Sequence, residues 1–159
     1  MITKSQTMYL LPVRVYYEDT DSGGVVYYAN YLKFMERART EWLRTLGVEQ
    51  DQLINEKNIL FAVRNVAMDF IKPAKFNDLL YVTASIKKRG GASITFAQKV
   101  VRHNQSLDNE AVTVEMLNNK DTTELCSGTI KIACLDAITM QPARIPKELQ
   151  RNMEINCGG

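Results

Sequence analysis

An α+β fold, in which one long helix lies across an antiparallel sheet, is the fold class that this sequence predicts. Only one segment of the chain has a strong helical period, and five others alternate apolar and polar residues as strands do. Hairpin-length links join most of these strands, which favours an antiparallel sheet. A single helix covers only part of a sheet, so a second copy of the chain is the expected cover for the remainder.

The first predicted strand covers residues 12–18, where Val13, Val15 and Tyr17 alternate with polar or amphipathic neighbours. The Ser-Gly-Gly sequence at 22–24 interrupts this pattern. We therefore expect the chain to turn there before the helix begins.

The predicted helix covers residues 30–47. Asn30 suits the N-cap, and Gly47 suits the position just after the helix. One continuous apolar stripe runs along it, formed by Tyr31, Met35, Ala38, Trp42 and Leu46. We expect this stripe, together with Phe34, to lie in the core or between protomers.

Four more strands are predicted after a polar linker of weak helical character at 48–57. They cover residues 59–71, 79–88, 93–103 and 128–136. Gly90 and Gly91 turn the chain between the second and third of these strands.

The whole chain, 1–159, is predicted to be a single domain, because its length suits one ordinary core and no repeat is visible. A polar stretch at about 104–124 is predicted to be a long loop or hairpin extension, with a β-prone part from Ala111 to Leu117. A short tail at about 150–159 is predicted to be a short helix or disordered.

Composition points away from several classes of protein. Hydrophobic residues make up 45% of the chain and the net charge is only +2, which gives no argument for nucleic-acid binding. Neither a secretory signal nor a transmembrane segment is predicted. The odd set of Cys126, Cys134 and Cys157 contains no CxxC pair, which disfavours a disulfide framework or a zinc site. We expect a cytoplasmic protein with reduced thiols.

Carboxylates are the available catalytic groups, because the only histidine is His103, which we expect to be exposed at a strand end. Asp19 and Asp21, just before the helix, are the candidate base or nucleophile. On spacing alone, the more frequent interpretation is that they are turn and cap residues. A DxD metal site is a third interpretation, although no further cluster of carboxylates or histidines accompanies it.

The neighbouring sequence strengthens the catalytic interpretation. A helix N-terminus carries unpaired N–H groups and a partial positive charge, which can hold a developing oxyanion. Gly23 and Gly24 allow the backbone to approach a ligand closely. A carboxylate just upstream can attack a carbonyl or activate water, and a thioester needs little more because a thiolate leaves readily.

The stretch VRVYYEDTDSGGVVYYANYLKFMERARTEWL, residues 13–43, resembles the signature of YbgC-type acyl-CoA thioesterases. The likeness continues through 61–82 and 130–149. These enzymes belong to the hotdog-fold superfamily that includes 4-hydroxybenzoyl-CoA thioesterase. The resemblance implies a long central helix wrapped by a curved antiparallel sheet of five or more strands, in a homodimer or homotetramer. It also implies hydrolysis of an acyl-CoA, with CoA as part of the substrate and with no metal or other cofactor.

The resemblance assigns the catalytic role to Asp21, as nucleophile or general base, rather than to Asp19. It implies that Tyr17 lines the site, that Gly24 belongs to the catalytic turn, and that the peptide N–H of Tyr28 polarises the thioester carbonyl. The relatives usually carry histidine where this chain has Tyr28.

Basic side chains at a subunit edge meet the phosphates of CoA in this family. The plausible counterparts here are Lys87, Lys88 and Arg89, with Ser93 nearby. An ordinary solvated strand end is the alternative interpretation of this trio. Arg64 lies in an otherwise apolar strand, and we expect it to pair with a carboxylate such as Asp69 or to face the cleft.

Two other functions fit the same sequence. One is a hotdog protein that binds acyl-CoA or acyl carrier protein without turning it over. The other is a structural partner of envelope proteins, for which the extension at 104–124 would be the contact surface. A hotdog dehydratase is disfavoured, because that chemistry typically uses a histidine and His103 is far from Asp21 in sequence.

Overall fold

The computed structural model describes residues 8–104 and 121–156, with side chains described as far as Glu154. In these residues five antiparallel strands form one sheet in the order β1-β3-β4-β5-β2. The strands are β1 (Tyr9–Arg14), β2 (Ile59–Phe70), β3 (Leu79–Arg89), β4 (Ser93–His103) and β5 (Thr122–Asp136). The α-helices are α1 (Asn30–Thr45), α2 (Gln50–Lys57) and α3 (Lys147–Asn156). This arrangement confirms the predicted α+β class.

The apolar face of α1 packs on β1, β3 and β4. All five residues of the predicted stripe are buried, and Phe34 joins them. The Trp42 ring meets Phe96 of β4 edge to face, with 5.3 Å between ring centroids. Since burying each such side chain contributes about 1.5–3 kcal/mol, this face supplies much of the stability of the helix.

A buried polar bridge also joins α1 to the sheet. Arg39 donates from Nη1 to Oε1 of Gln98 at 2.9 Å, and Nε2 of Gln98 donates to the carbonyl oxygens of Met35 and Thr83, each at 3.1 Å. Burial lowers the pKa of Arg39. Every polar atom of the Gln98 amide therefore has a partner in the core, as buried polar groups require.

The first strand lies earlier in the chain than the predicted 12–18, because β1 begins at Tyr9 and ends at Arg14. Val15 remains buried, so the alternation continues past the last strand residue. The chain then turns into a short 3-10 helix, Tyr17–Asp19, where Oδ2 of Asp19 accepts the N–H of Tyr16 at 2.8 Å. The extended prediction was wrong here because a side-chain hydrogen bond competes with strand pairing.

The start of α1 also differs from the prediction. Asn30 is the first helical residue and Ala29 occupies the cap position, without a side-chain cap. The Asn30 amide instead donates from Nδ2 to the carbonyl oxygen of Asp19 at 2.8 Å. At the other end, Gly47 has a φ of +80°, as predicted for the residue after the helix.

Two elements are longer or more regular than their sequences indicate. The predicted linker at 48–57 contains the helix α2, which is followed by Asn58 with a left-handed φ of +53°. β5 begins at Thr122 rather than at residue 128, because its polar first half pairs with the C-terminal residues of β2 and β4. Residues 150–156 of the tail belong to α3, which is the helical one of the two predicted alternatives. Most of the predicted extension, including Ala111 to Leu117, lies outside the described residues.

Candidate active site

Residues 19–27 form a small hairpin just before α1. Thr20 and Val26 form an antiparallel bridge, in which the N–H of Asp21 donates to the carbonyl oxygen of Val25 at 2.9 Å. The N–H of Gly24 donates back to the carbonyl oxygen of Asp21 at 3.0 Å, and Gly24 has a φ of +78°. This left-handed backbone favours glycine, so the predicted importance of Gly24 has a conformational cause.

Asp19 and Asp21 both act as turn residues. Oδ2 of Asp19 accepts the N–H of Tyr16, and Oδ1 of Asp21 accepts the N–H of Gly23, each at 2.8 Å. Asp19 is half-buried, whereas Asp21 is exposed at the hairpin tip. Within the described chain Oδ2 of Asp21 has no protein hydrogen-bond partner. The carboxylate of Asp21 is therefore oriented through one oxygen and open to solvent through the other.

Tyr28 lies between this hairpin and α1. The helix begins two residues later, where the N–H of Asn30 donates to the carbonyl oxygen of Tyr27 at 2.8 Å. No acceptor for the N–H of Tyr28 occurs in residues 8–104 or 121–156. An unpaired N–H at the start of a helix is an anion-binding group, since the helix dipole points the same way.

Aromatic side chains surround the hairpin. The Tyr28 ring is 59% exposed and lies 4.8 Å from Tyr27 and 5.9 Å from Phe70, between centroids. Tyr17 is 80% exposed and packs edge to face on Phe76 at 6.0 Å. Phe70 and Phe76 were not predicted as site residues. Phe76 carried a usable signal, because it is an aromatic residue between the polar residues Lys75 and Asn77.

The predicted CoA-binding residues lie elsewhere in the protomer. β3 begins beside the site, where the carbonyl oxygen of Asp78 accepts the N–H of Val15, and ends at Arg89. Eleven strand residues separate the two ends by roughly 30 Å. Lys87, Lys88 and Ser93 are therefore not brought to Asp21 within one protomer.

The contacts of Arg89 and Arg64 differ from those predicted. Arg89 pairs with Glu154 of α3 at 3.0 Å and also donates to the carbonyl oxygen of Gln150 at 3.3 Å. Arg64 is exposed where the register of β2 shifts between Val63 and Asn65. Among the described residues Arg64 forms no ion pair. The expected pairing with Asp69 is therefore wrong, and the other alternative, that Arg64 faces the cleft, stays a prediction.

His103 lies at the end of β4, opposite Thr122. It is half-buried, whereas the sequence predicted an exposed side chain. The described parts of the chain contain no group of three His, Cys, Asp or Glu side chains placed to hold a metal ion. No α-helix within them is both long enough and apolar enough to cross a bilayer.

Comparison with known proteins shows the family. A model of the thioesterase superfamily matches residues 23–108. The acyl-CoA thioesterase YbgC of Haemophilus influenzae is 43% identical over 139 residues, which cover 87% of this chain and 89% of that protein. The chain belongs to the YbgC group of the thioesterase superfamily. Another member, the acyl-CoA thioester hydrolase YbgC of Escherichia coli, is 37% identical over 90% of this chain and 93% of its own.

Solved structures of this superfamily confirm the hotdog fold. A 4-hydroxybenzoyl-CoA thioesterase superposes with a TM-score of 0.77 over 92% of this chain and 99% of that chain, at 15% identity. The hotdog arrangement of a long central helix and a five-stranded antiparallel sheet is thus retained in this YbgC-group chain.

Proposed function

We propose that this chain hydrolyses acyl-CoA to free acid and CoA, with Asp21 as nucleophile or general base and the N–H of Tyr28 as the oxyanion donor. The observation that carries the proposal is that two groups without a protein partner among the described residues lie within residues 21–28. One is the exposed carboxylate oxygen of Asp21, on the hairpin, and the other is the N–H of Tyr28, between the hairpin and α1. Together they provide a carboxylate and a positive backbone dipole for one carbonyl group.

Both chemical routes use these two groups. As a nucleophile, Asp21 attacks the thioester carbonyl carbon, the carbonyl oxygen takes the negative charge, and the CoA thiolate leaves. Water then hydrolyses the resulting mixed anhydride. As a general base, Asp21 instead removes a proton from the water that attacks the same carbon. In either route the N–H of Tyr28 stabilises the oxyanion, and one such donor contributes on the order of 100-fold to 1000-fold in kcat.

The relatives support a CoA thioester as substrate. The YbgC proteins of Haemophilus influenzae and Escherichia coli are named for acyl-CoA thioester hydrolysis. The solved 4-hydroxybenzoyl-CoA thioesterase is an aspartate-to-asparagine variant in complex with 4-hydroxybenzoyl-CoA. The proposed reaction requires no metal or further cofactor, because a thiolate leaves without acid assistance and CoA enters with the substrate.

A homodimer formed along β2 is part of the proposal, because among the described strands β2 is an edge strand whose outer side pairs with no other strand. Val63, Val66 and Phe70 of this strand are exposed apolar residues, and Phe70 contacts Tyr28. A second copy placed on β2 would cover this surface beside the site. The two ends of β3 lie roughly 30 Å apart within one protomer. Lys87 and Lys88 would therefore contact CoA at the site of a neighbouring protomer.

Thiol release from a panel of short, aromatic and long acyl-CoAs tests the proposal, with EDTA present throughout. Asp21→Asn is expected to lower kcat at least 100-fold while retaining substrate binding. Asp19→Asn is the matched variant, since an asparagine oxygen can still accept the N–H of Tyr16, and kcat should remain within about threefold. Burial raises the pKa of Cys126 to about 12 and of Cys134 to about 11, so neither thiol should react with the dye in folded protein near pH 8.

The outcomes separate the two candidate functions. Full activity in Asp21→Asn would contradict the assignment of the carboxylate. Saturable binding of acyl-CoA without thiol release in the wild type would favour a binding protein over a hydrolase. Turnover that appears only in Tyr28→His would show that the tyrosine at this position had removed an activity of the group.

A further inference from the structure

Tyr31 connects the candidate site to α1 through its hydroxyl group. Its side chain is buried, and its Oη accepts the N–H of Ala74 at 3.0 Å. The carbonyl oxygen of Ala74 in turn accepts the N–H of Val26 at 2.9 Å. Val26 bridges Thr20 in the hairpin that carries Asp21. Two successive hydrogen bonds therefore link one phenol on the central helix to the catalytic hairpin.

The ring of the same tyrosine faces the other half of the site. Its centroid lies 5.9 Å from that of Phe70, and the Phe70 centroid lies 5.9 Å from that of Tyr28. Phe34 contacts the Tyr31 ring from within α1 at 6.3 Å. Tyr28 provides the proposed oxyanion donor. The ring of Tyr31 therefore supports Tyr28 indirectly, because both rings contact Phe70.

We propose that Tyr31 is a positioning residue for thioester hydrolysis, whose hydroxyl fixes the Asp21 hairpin through Ala74 and whose ring fixes Tyr28 through Phe70. This inference rests on the proposed function, because it sets the separation between the carboxylate and the oxyanion donor. Asp21 and Tyr28 are both exposed residues, so we infer that contacts from neighbouring segments fix that separation.

The hydroxyl is the decisive part of Tyr31. Ala74 is fully buried, so bulk water cannot replace the Tyr31 hydroxyl as the acceptor of the Ala74 N–H. Burial raises the pKa of Tyr31, which keeps the phenol neutral across the working pH range. Removing the oxygen while keeping the ring leaves a buried donor unpaired, and the segment around Ala74 must shift to satisfy it.

Steady-state kinetics of Tyr31→Phe test the proposal, with Tyr81→Phe as the matched control. Tyr81 is another buried phenol, on β3 and outside the site. We expect Tyr31→Phe to lower kcat on the order of 100-fold, because a misplacement of about 1 Å has an effect of that size. KM should stay within about threefold, and Tyr81→Phe should leave kcat unchanged.

A second background separates positioning from general destabilisation. In Asp21→Asn protein, adding Tyr31→Phe should lower the residual turnover no further, since the carboxylate that it positions is already absent. Independent effects that multiply in the double variant would overturn the proposal, as would a wild-type kcat in Tyr31→Phe. Full activity of Asp21→Asn alone would instead overturn the proposed function.

Phe70→Leu provides a route to the same question if Tyr31→Phe does not fold. Phe70 is half exposed at the end of β2, so its ring is less important for the core. Loss of the ring removes the contact between Tyr31 and Tyr28, and kcat should fall while KM changes little. An unchanged kcat in folded Phe70→Leu would contradict the role of the ring.

Discussion

Asp21 shows, at the scale of a single residue, how a turn residue can also serve as a catalytic group. One carboxylate oxygen accepts the N–H of Gly23, and the other is open to solvent. Asp19 uses its side chain and its carbonyl oxygen to join Tyr16, Tyr27 and Asn30. The turn interpretation and the catalytic interpretation are therefore compatible for Asp21, whereas the contacts of Asp19 are structural.

Gly24 provides a prediction at this scale. Gly24→Ala should lower the free energy of unfolding by about 1–2 kcal/mol, because its φ of +78° is strained for a residue with a Cβ atom. No neighbouring atom lies within 4 Å of the added Cβ, so the effect is conformational and not a clash. Urea unfolding measures it.

Gly91→Ala is the control for that measurement. Its added Cβ also meets no atom within 4 Å, and its φ is not in the left-handed region. Its free energy of unfolding should change by less than about 0.5 kcal/mol. Equal losses in the two variants would show that the backbone at Gly24 is not strained.

The buried bridge between α1 and the sheet is the main polar feature at the scale of secondary structure elements. Gln98 accepts from Arg39 and donates to carbonyl groups of α1 and β3. The hydrophobic attraction between α1 and the sheet is non-directional. A buried network with directional hydrogen bonds specifies one position for it.

Gln98→Ala should lower the free energy of unfolding by about 3 kcal/mol or more, because it leaves the buried guanidinium of Arg39 unpaired. Ser85→Ala is the control, since that half-buried hydroxyl donates one long bond of 3.3 Å to the carbonyl oxygen of Ala97. Ser85→Ala should lower the free energy of unfolding by less than about 1 kcal/mol. Urea unfolding of both variants provides the comparison.

Replacing both partners gives the stricter test. The apolar double variant Arg39→Met/Gln98→Leu should be less destabilised than the sum of its single variants, because no buried charge remains. Strict additivity would show that Arg39 and Gln98 contribute independently.

The open edge of β2 is the corresponding feature of the whole molecule. β1 and β2 are the two edge strands among residues 8–104 and 121–156, and β2 has twelve residues. β1 contains Pro12, which lacks an N–H and blunts that edge, whereas β2 contains no proline. The longer edge, which no proline interrupts, is thus the better surface for a second copy.

Val66→Lys should shift the protein from dimer towards monomer in size-exclusion chromatography with light scattering, since it places a charge in the proposed interface. Ile138→Lys changes an equally apolar but more exposed residue, in the turn after β5, and should leave the mass unchanged. A monomeric wild type, or a Val66→Lys protein of unchanged mass, would contradict association along β2.

The sequence by itself determined the fold class, the position of α1 and the family. These features depend on local periodicity and on a contiguous motif, both of which are visible without long-range contacts. The buried stripe of α1 and the φ of Gly47 agree with that local pattern. The sequence did not predict where β1 ends or where β5 begins. The hydrogen bond of Asp19 with Tyr16 turns the chain soon after β1, and pairing with β4 extends β5 into polar residues.

Only the tertiary structure decided how the candidate site is held together. Tyr31 reads as an ordinary core residue of the helix stripe, yet Ala74, 43 positions along the chain, donates to its hydroxyl. The family resemblance assigns the basic residues near Arg89 to the same substrate as Asp21, but the length of β3 separates them from Asp21 within one protomer. Contacts between distant segments depend on sheet order and register, and these are set by the packing of the whole chain.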